Sequence, residues 1–188
     1  MDPDEARSRL LDTAERLFYE RGVQAVGMDE LRTASGVSLK RLYQCFPSKS
    51  DLVEGYLRRR DERWRTALAR HVAQHGTTPR DRLLAVFDWL HAWCDDPGFR
   101  GCAFINAFGE LGATSDAVAG AARDHKRALQ EYVTGLAREL PVDDPVALGG
   151  QLLLLIDGAI TTAAISGDPA AARQARVAAE TLITAATG

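Results

Sequence analysis

The sequence predicts an all-α protein of about nine helices. Three observations carry that prediction. Apolar residues recur at spacings of three and four through most of the 188 residues. Period-two alternation and hairpin dipeptides between apolar runs are missing. The pair Asp-Pro recurs at Asp2-Pro3, Asp96-Pro97, Asp144-Pro145 and Asp168-Pro169. An aspartate there accepts from the free amides of a first helical turn, and proline fits the first helical position, where no amide partner is lost.

The elements follow in order. The first helix spans 3–21, with Leu10, Leu11, Ala14, Leu17 and Phe18 on one face and Gly22 as its stop. Two short helices cover 28–35 and 39–46. A long helix spans 49–74 from a start at Ser48–Asp51, with Val53, Tyr56, Leu57, Trp64 and Leu68 inward. The fifth, 79–95, starts at Thr78-Pro79-Arg80-Asp81 and buries Leu83, Leu84, Phe87, Leu90 and Cys94. The Asp96 pair instead opens a loop through Gly98 and Gly101. A short segment at 102–111 follows, then helices at 115–140, 145–166 and 169–187. The organisational break falls between the small helices before residue 47 and the longer ones after.

Hydrophobic residues make up 46% and charged residues 26%, the balance of a chain that folds. The net charge is −3, so any nucleic-acid surface must be local. It has a place: residues 31–50 hold Arg32, Lys40, Arg41 and Lys49 and no acid. Three cysteines argue against a disulfide framework and for a reducing compartment. The acidic start MDPDEARSRLL lacks the apolar core of a signal peptide, so a cytoplasmic location is expected. The run Val146–Ile165 is long enough to cross a membrane, but it contains Gln151, Asp157, Thr161 and Thr162. An aspartate near the centre of a span costs roughly 3 kcal/mol. A core or subunit-interface helix is the reading adopted, with no membrane partner.

Residues 28–46, MDELRTASGVSLKRLYQCF, concentrate the function. Gly36 supplies a tight turn between two short helices, Val37 plugs the gap between them, and Ser38 caps the second. That pairing is a helix-turn-helix. With Leu42 and Phe46 inward, Leu39, Lys40, Arg41, Tyr43 and Gln44 face outward, and the first turn meets base edges in a major groove. Lysine or arginine donates to guanine, and glutamine pairs with adenine. Tyr43 and Lys49, at the start of the next helix, reach phosphates. A solvated basic hairpin is the bland alternative. It is outweighed by the coincidence of turn glycine, plug, cap, basic pair and second capped helix.

On these residues the chain resembles the TetR family of bacterial transcriptional regulators. The resemblance runs from 10 to 53: Ala14, Leu17, Phe18 and Gly22 at the end of the first helix, Gly36-Val37-Ser38 at the turn, and Leu42, Tyr43, Phe46, Pro47, Ser48 and Lys49 beyond it. It implies an all-helical homodimer, with a three-helix DNA-binding domain over 1–48 and a ligand-binding and dimerisation domain over 49–188. It implies a double-stranded palindromic operator and a repressor released by a small-molecule effector. It gives Lys40, Arg41, Tyr43, Gln44 and Lys49 roles in DNA contact. The helices near 115–140 and 145–166 are the expected dimer seam, where Gly149, Gly150 and Gly158 would admit close backbones. Two positions depart from the family pattern. Gly27 stands where Thr or Ser often caps the second helix, and Arg32 stands where Ala is common, so Arg32 must snorkel outward or contact phosphate.

The regulatory half offers Phe87, Trp93, Phe104, Asn106, Phe108, His125, Tyr132, Asp157 and Thr161 as candidates for a partly apolar effector. Most of these aromatics double as core, and His125 as a hydrogen-bonded core histidine. Asn106 and Asp157 interrupt apolar runs and are the stronger polar candidates. No catalytic, metal or cofactor chemistry is expected: His71 and His75 lack a partnering glutamate between them, and Cys94 and Cys102 lack CxxC spacing. Redox sensing by Cys94 and Cys102 stands beside two inert thiols. The competing function is a helical ligand-binding or redox-sensing protein with impaired DNA binding, suggested by Gly27 and Arg32.

Overall fold

The computed structural model describes residues 2–188. Among them are nine helices and no strand. They are α1 (Pro3–Arg21), α2 (Met28–Ser35), α3 (Leu39–Cys45), α4 (Lys49–His75), α5 (Pro79–Cys94), α6 (Ala103–Leu111), α7 (Asp116–Ala137), α8 (Pro145–Ser166) and α9 (Ala170–Thr187).

The local signals act as local physics demands. Thr78 and Asp81 form a reciprocal capping box at α5. Ser48 and Asp51 do the same at α4, with the Asp51 carboxylate accepting from Ser48 N (2.9 Å) and Ser48 Oγ accepting from Asp51 N (3.2 Å). Asp144 accepts from the amides of Val146 and Ala147 at α8. Asp2 makes no side-chain cap. At Asp168-Pro169 the helix starts one residue later than expected, with Pro169 as the uncapped N-cap of α9 and Asp168 accepting from Ala170 N at 2.8 Å. The Asp96 pair opens a loop in which the Asp96 side chain accepts from Gly98 N at 2.6 Å.

Two compact units result. One comprises residues 1–63 with Ala103–His125, and the other Trp64–Cys102 with Lys126–Gly188. This grouping differs from a division at residue 48. It places most of α4, all of α6 and the first half of α7 with the small helices, because those segments share contacts there.

In the first unit α1 packs on both α2 and α3. Leu10, Ala14, Leu31, Val37, Leu42, Phe46, Leu52 and Leu57 form its core. An ion-pair cluster ties α1 to α4: Glu15 receives Arg59, Arg60 and Arg63 at 3.0–3.3 Å, and Asp12 receives Arg59 at 2.9 Å.

In the second unit α8 packs on α9 and α5, and α9 on α5. Leu83, Phe87, Leu90, Leu129, Leu152, Ile156, Ile160 and Ile183 are buried. By length and composition α8 is able to span a membrane. Here one of its faces fills a protein core instead. Trp64, Trp89, Trp93 and Phe99 pack edge and face against one another at ring-centre distances of 4.8–5.6 Å.

The glycines of α8 are not interchangeable. A Cβ on Gly149 would run into Thr134 of α7, including its Cα at 3.0 Å, so this close approach joins two helices of one chain. Gly158 has nothing within 4 Å.

Candidate nucleic-acid interface

The interface is built from the turn outward. Gly36 adopts φ +68°, ψ 18°, the left-handed conformation that a side chain disfavours, with open space around it. Conformation, not room, selects glycine there. Val37 is buried beyond the turn. Ser38 Oγ accepts from Arg41 N at 3.3 Å and starts α3. Leu42 and Phe46 then point inward. Gly55 of α4 receives Phe46 closely: a Cβ there would lie 3.0 Å from the Phe46 ring. Arg7 pins the end of α3, its guanidinium 4.4 Å from the Phe46 ring centre and donating to Cys45 O at 3.1 Å.

With its inner face fixed, α3 has one orientation left. Leu39 (49% accessible), Tyr43 (46%), Lys40 and Gln44 stand exposed, and Arg41 is half-exposed. These are the outward residues expected, on a surface free of acids within α3. Lys49 is the first residue of α4, where the free amides of the helix start also point. Burial pulls its amine below the ordinary lysine range, and Glu110 partly opposes that shift. Arg32 resolves outward, its Nε 3.4 Å from Asp29 and its Nη2 3.4 Å from Thr33 Oγ1. The α2 start has no side-chain cap at Gly27. Asp29 and Glu30 supply negative charge in that first turn, and Glu30 pairs with Arg21 at the end of α1.

The effector candidates separate. In the first unit His125 is 3% accessible, its Nδ1 lies 2.7 Å from Asp61, and its ring stacks on Phe104 at 3.7 Å. That is the geometry of a hydrogen-bonded core histidine. Asn106 and Phe108 are exposed. Asn106 also borders a gap of about 10 Å³, room for one water, with Phe18, Tyr56 and Glu110. In the second unit Phe87 is core, Trp93 belongs to the tryptophan cluster and Thr161 is exposed. Asp157 pairs with Lys126, whose Nζ also lies 3.9 Å from Cys102 Sγ. Tyr132 is half-buried, and burial raises its phenol, with Glu139 adding to that and Arg82 opposing it. Cys94 and Cys102 are buried, and burial pushes the Cys94 thiol up to about 11.

Sequence reading missed Lys126 as the partner of Asp157 and Asp61 as that of His125. It also missed Glu110 as the partner of the loop after α1. These partners lie 31, 64 and 86–87 residues away, and no local pattern links them.

Comparison with known proteins bears on this geometry. Residues 10–56 match the family model "Bacterial regulatory proteins, tetR family", and residues 79–179 match "Tetracyclin repressor-like, C-terminal domain". The crystal structure of a TetR-family transcriptional regulator from Streptomyces coelicolor superposes with a TM-score of 0.90 at 31% identity, covering 98% of this chain and 97% of that one. A putative TetR-type regulator from Streptomyces avermitilis gives 0.84 at 31%, covering 99% and 98%. Among curated relatives, the HTH-type transcriptional activator FasR of Mycolicibacterium smegmatis is 37% identical over 101 residues, 52% of this chain and 45% of FasR. An uncharacterized HTH-type regulator of Mycobacterium tuberculosis is 37% identical over 79 residues, 42% of this chain and 39% of that one. The chain thus spans less than half the length of the curated relatives it matches.

Proposed function

We propose that this chain, which belongs to the TetR family of bacterial regulatory proteins, acts in the cytoplasm as a homodimeric repressor. It binds a palindromic operator and leaves it when a small-molecule effector binds. Its standing as a TetR-family transcriptional regulator is the premise; the rest is our reading.

The observation that carries the reading is the α3 surface. Lys40, Arg41, Tyr43 and Gln44 project from a helix whose inner face is locked by Leu42 and Phe46, with Lys49 beside it. Two such helices about 34–36 Å apart meet successive major grooves on one side of a duplex. Lys40, Arg41 and Gln44 read base edges. Arg32, Ser38, Tyr43 and Lys49 address phosphates, and Leu39 makes apolar contact with the groove. The DNA-reading part is residues 1–48 in this proposal, and residues 49–188 carry effector binding and dimerisation.

The proposed dimer seam keeps α8 and replaces α7 with α9. Leu154 and Ile165 of α8 are 74% and 84% accessible, and Val177 of α9 is 63% accessible. The outer face of α7 presents Arg123, Asp124, Arg127, Gln130 and Glu131 instead. Interface cores are depleted in charge, so the apolar helices are the better seam. For the effector, the half-buried Lys126–Asp157 pair and Tyr132 are the polar contacts we favour, with Trp93 as apolar wall. A ligand releases DNA only if it favours the conformation whose reading heads are wrongly spaced.

Selection of bound duplexes from a random pool tests the reading. A palindrome with half-sites one helical turn apart is expected. Recovery of no preferred sequence, with weak binding and a flat salt response, would favour instead a ligand-binding protein that no longer reads DNA.

A further inference from the structure

The start of α2 lacks its own side-chain cap, yet the loop before it is firmly held. The group that holds it comes from α6. Glu110 Oε1 accepts from Val23 N at 3.0 Å, and Oε2 accepts from Gln24 N at 2.6 Å. Gln24 Nε2 donates back to Glu110 O at 2.8 Å. Gly22, at φ +88°, lets the carboxylate approach: a Cβ there would stand 3.1 Å from Oε1 in a conformation a side chain rarely adopts. Val23 and Val26, on either side of Gln24, are buried. The two amides have no backbone acceptor among the turn and loop bonds, so the carboxylate is what satisfies them.

We propose that Glu110 is a positioning residue for DNA binding: its carboxylate sets the loop that aims α2 and α3. This rests on the DNA-binding reading above and adds to it a residue outside the helix-turn-helix. The chemistry needs a carboxylate of this length. Two adjacent amides need two acceptor oxygens, which glutamate has. Glutamine offers one oxygen and turns an NH2 donor toward the other amide. Aspartate is one methylene short. The loop's conformation selects the competent arrangement of the helix pair, and apparent affinity scales with the fraction of molecules that adopt it.

Charge alone predicts the opposite effect. Glu110 is close enough to Lys49 to influence it electrostatically. Removing a carboxylate beside a phosphate-binding lysine would strengthen the attraction for DNA. The sign of the change therefore separates positioning from charge.

The test compares wild type with Glu110→Ala, Glu110→Gln and Glu110→Asp on the palindrome selected by the wild-type protein. Positioning predicts about tenfold weaker binding for Glu110→Ala and a loss at least half as large on the logarithmic scale for Glu110→Gln. The base preference stays unchanged, and hydrogen exchange at Val23 and Gln24 accelerates. Unchanged or tighter binding in Glu110→Ala, or full function in Glu110→Gln, overturns the proposal. If Glu110→Ala does not fold by circular dichroism, Glu110→Gln alone decides by the same sign rule. If the wild-type protein selects no DNA, the regulator reading fails by itself. Exchange at the two amides then decides whether Glu110 holds the loop: unchanged protection in Glu110→Gln overturns that part too.

Discussion

Leu154→Glu tests how two reading heads come to act together. In an isolated subunit the substitution changes a surface residue and moves stability by at most about 0.5 kcal/mol. In the proposed dimer it changes a seam residue twice, once in each copy. Full burial of a leucine side chain is worth about 1.5–3 kcal/mol. Leu154 is 74% accessible, so most of that gain is still available. Two copies bring it to about 2–4 kcal/mol, before any cost of burying the new carboxylates. At 1.4 kcal/mol per decade, the dimer dissociation constant rises by about 30- to 1,000-fold or more. Sedimentation velocity over a concentration series reads this directly, with Glu131→Ala on α7 as the control that leaves association unchanged. Operator affinity should fall in parallel. A Leu154→Glu protein that associates like wild type, or a Glu131→Ala protein that comes apart, would refute the α8–α9 seam.

Arg41→Ala should weaken operator binding and relax one base position by roughly 1–3 kcal/mol, while Lys49→Ala should weaken all sequences alike and lower the salt slope by about one; repeated selection and salt titration distinguish them. Gly149→Ala should lower stability by about 1–3 kcal/mol, because the added methyl meets the Thr134 backbone, which rotamer change cannot move. Gly135→Ala in α7, with open space, should raise stability by up to about 1 kcal/mol; equal thermal shifts for the two would contradict the packing described. Cys94 should make stability fall in alkaline solution. Its thiol is raised from 9.0 to about 11, so the folded form keeps a proton the unfolded chain gives up. The contribution is whole below pH 9 and disappears as pH climbs through about 11. Urea midpoints across that window should lose this slope in Cys94→Ala.

What was legible in the sequence was what neighbours in the chain decide. Ser38, Thr78 and Asp144 cap because an oxygen and a free amide two or three residues away meet whatever the tertiary fold. The outward set on α3 was legible for a similar reason. Once Leu42 and Phe46 are inside, helical geometry leaves Lys40, Tyr43 and Gln44 no other side to occupy. Asp2 shows the limit of the same rule: the Asp-Pro signal places the helix start correctly, yet its side chain makes no cap.

Glycine shows most clearly where such reading stops. Gly36 was legible because its reason is its own backbone angle, which belongs to the turn. Gly149 was singled out for close approach, but composition names no neighbour, and the neighbour is Thr134 of the same chain rather than a second subunit. Gly22 was expected to end α1 and does so, through a positive φ. Its second reason, room for the Glu110 carboxylate, depends on a residue 88 positions away that only folding brings near. The uncapped start at Gly27 is the same lesson in reverse. Taken alone, it counted against DNA binding. Beside Glu110 it follows a loop that α6 holds at Val23 and Gln24, so the missing cap and the supported loop are separate features of the entry into α2.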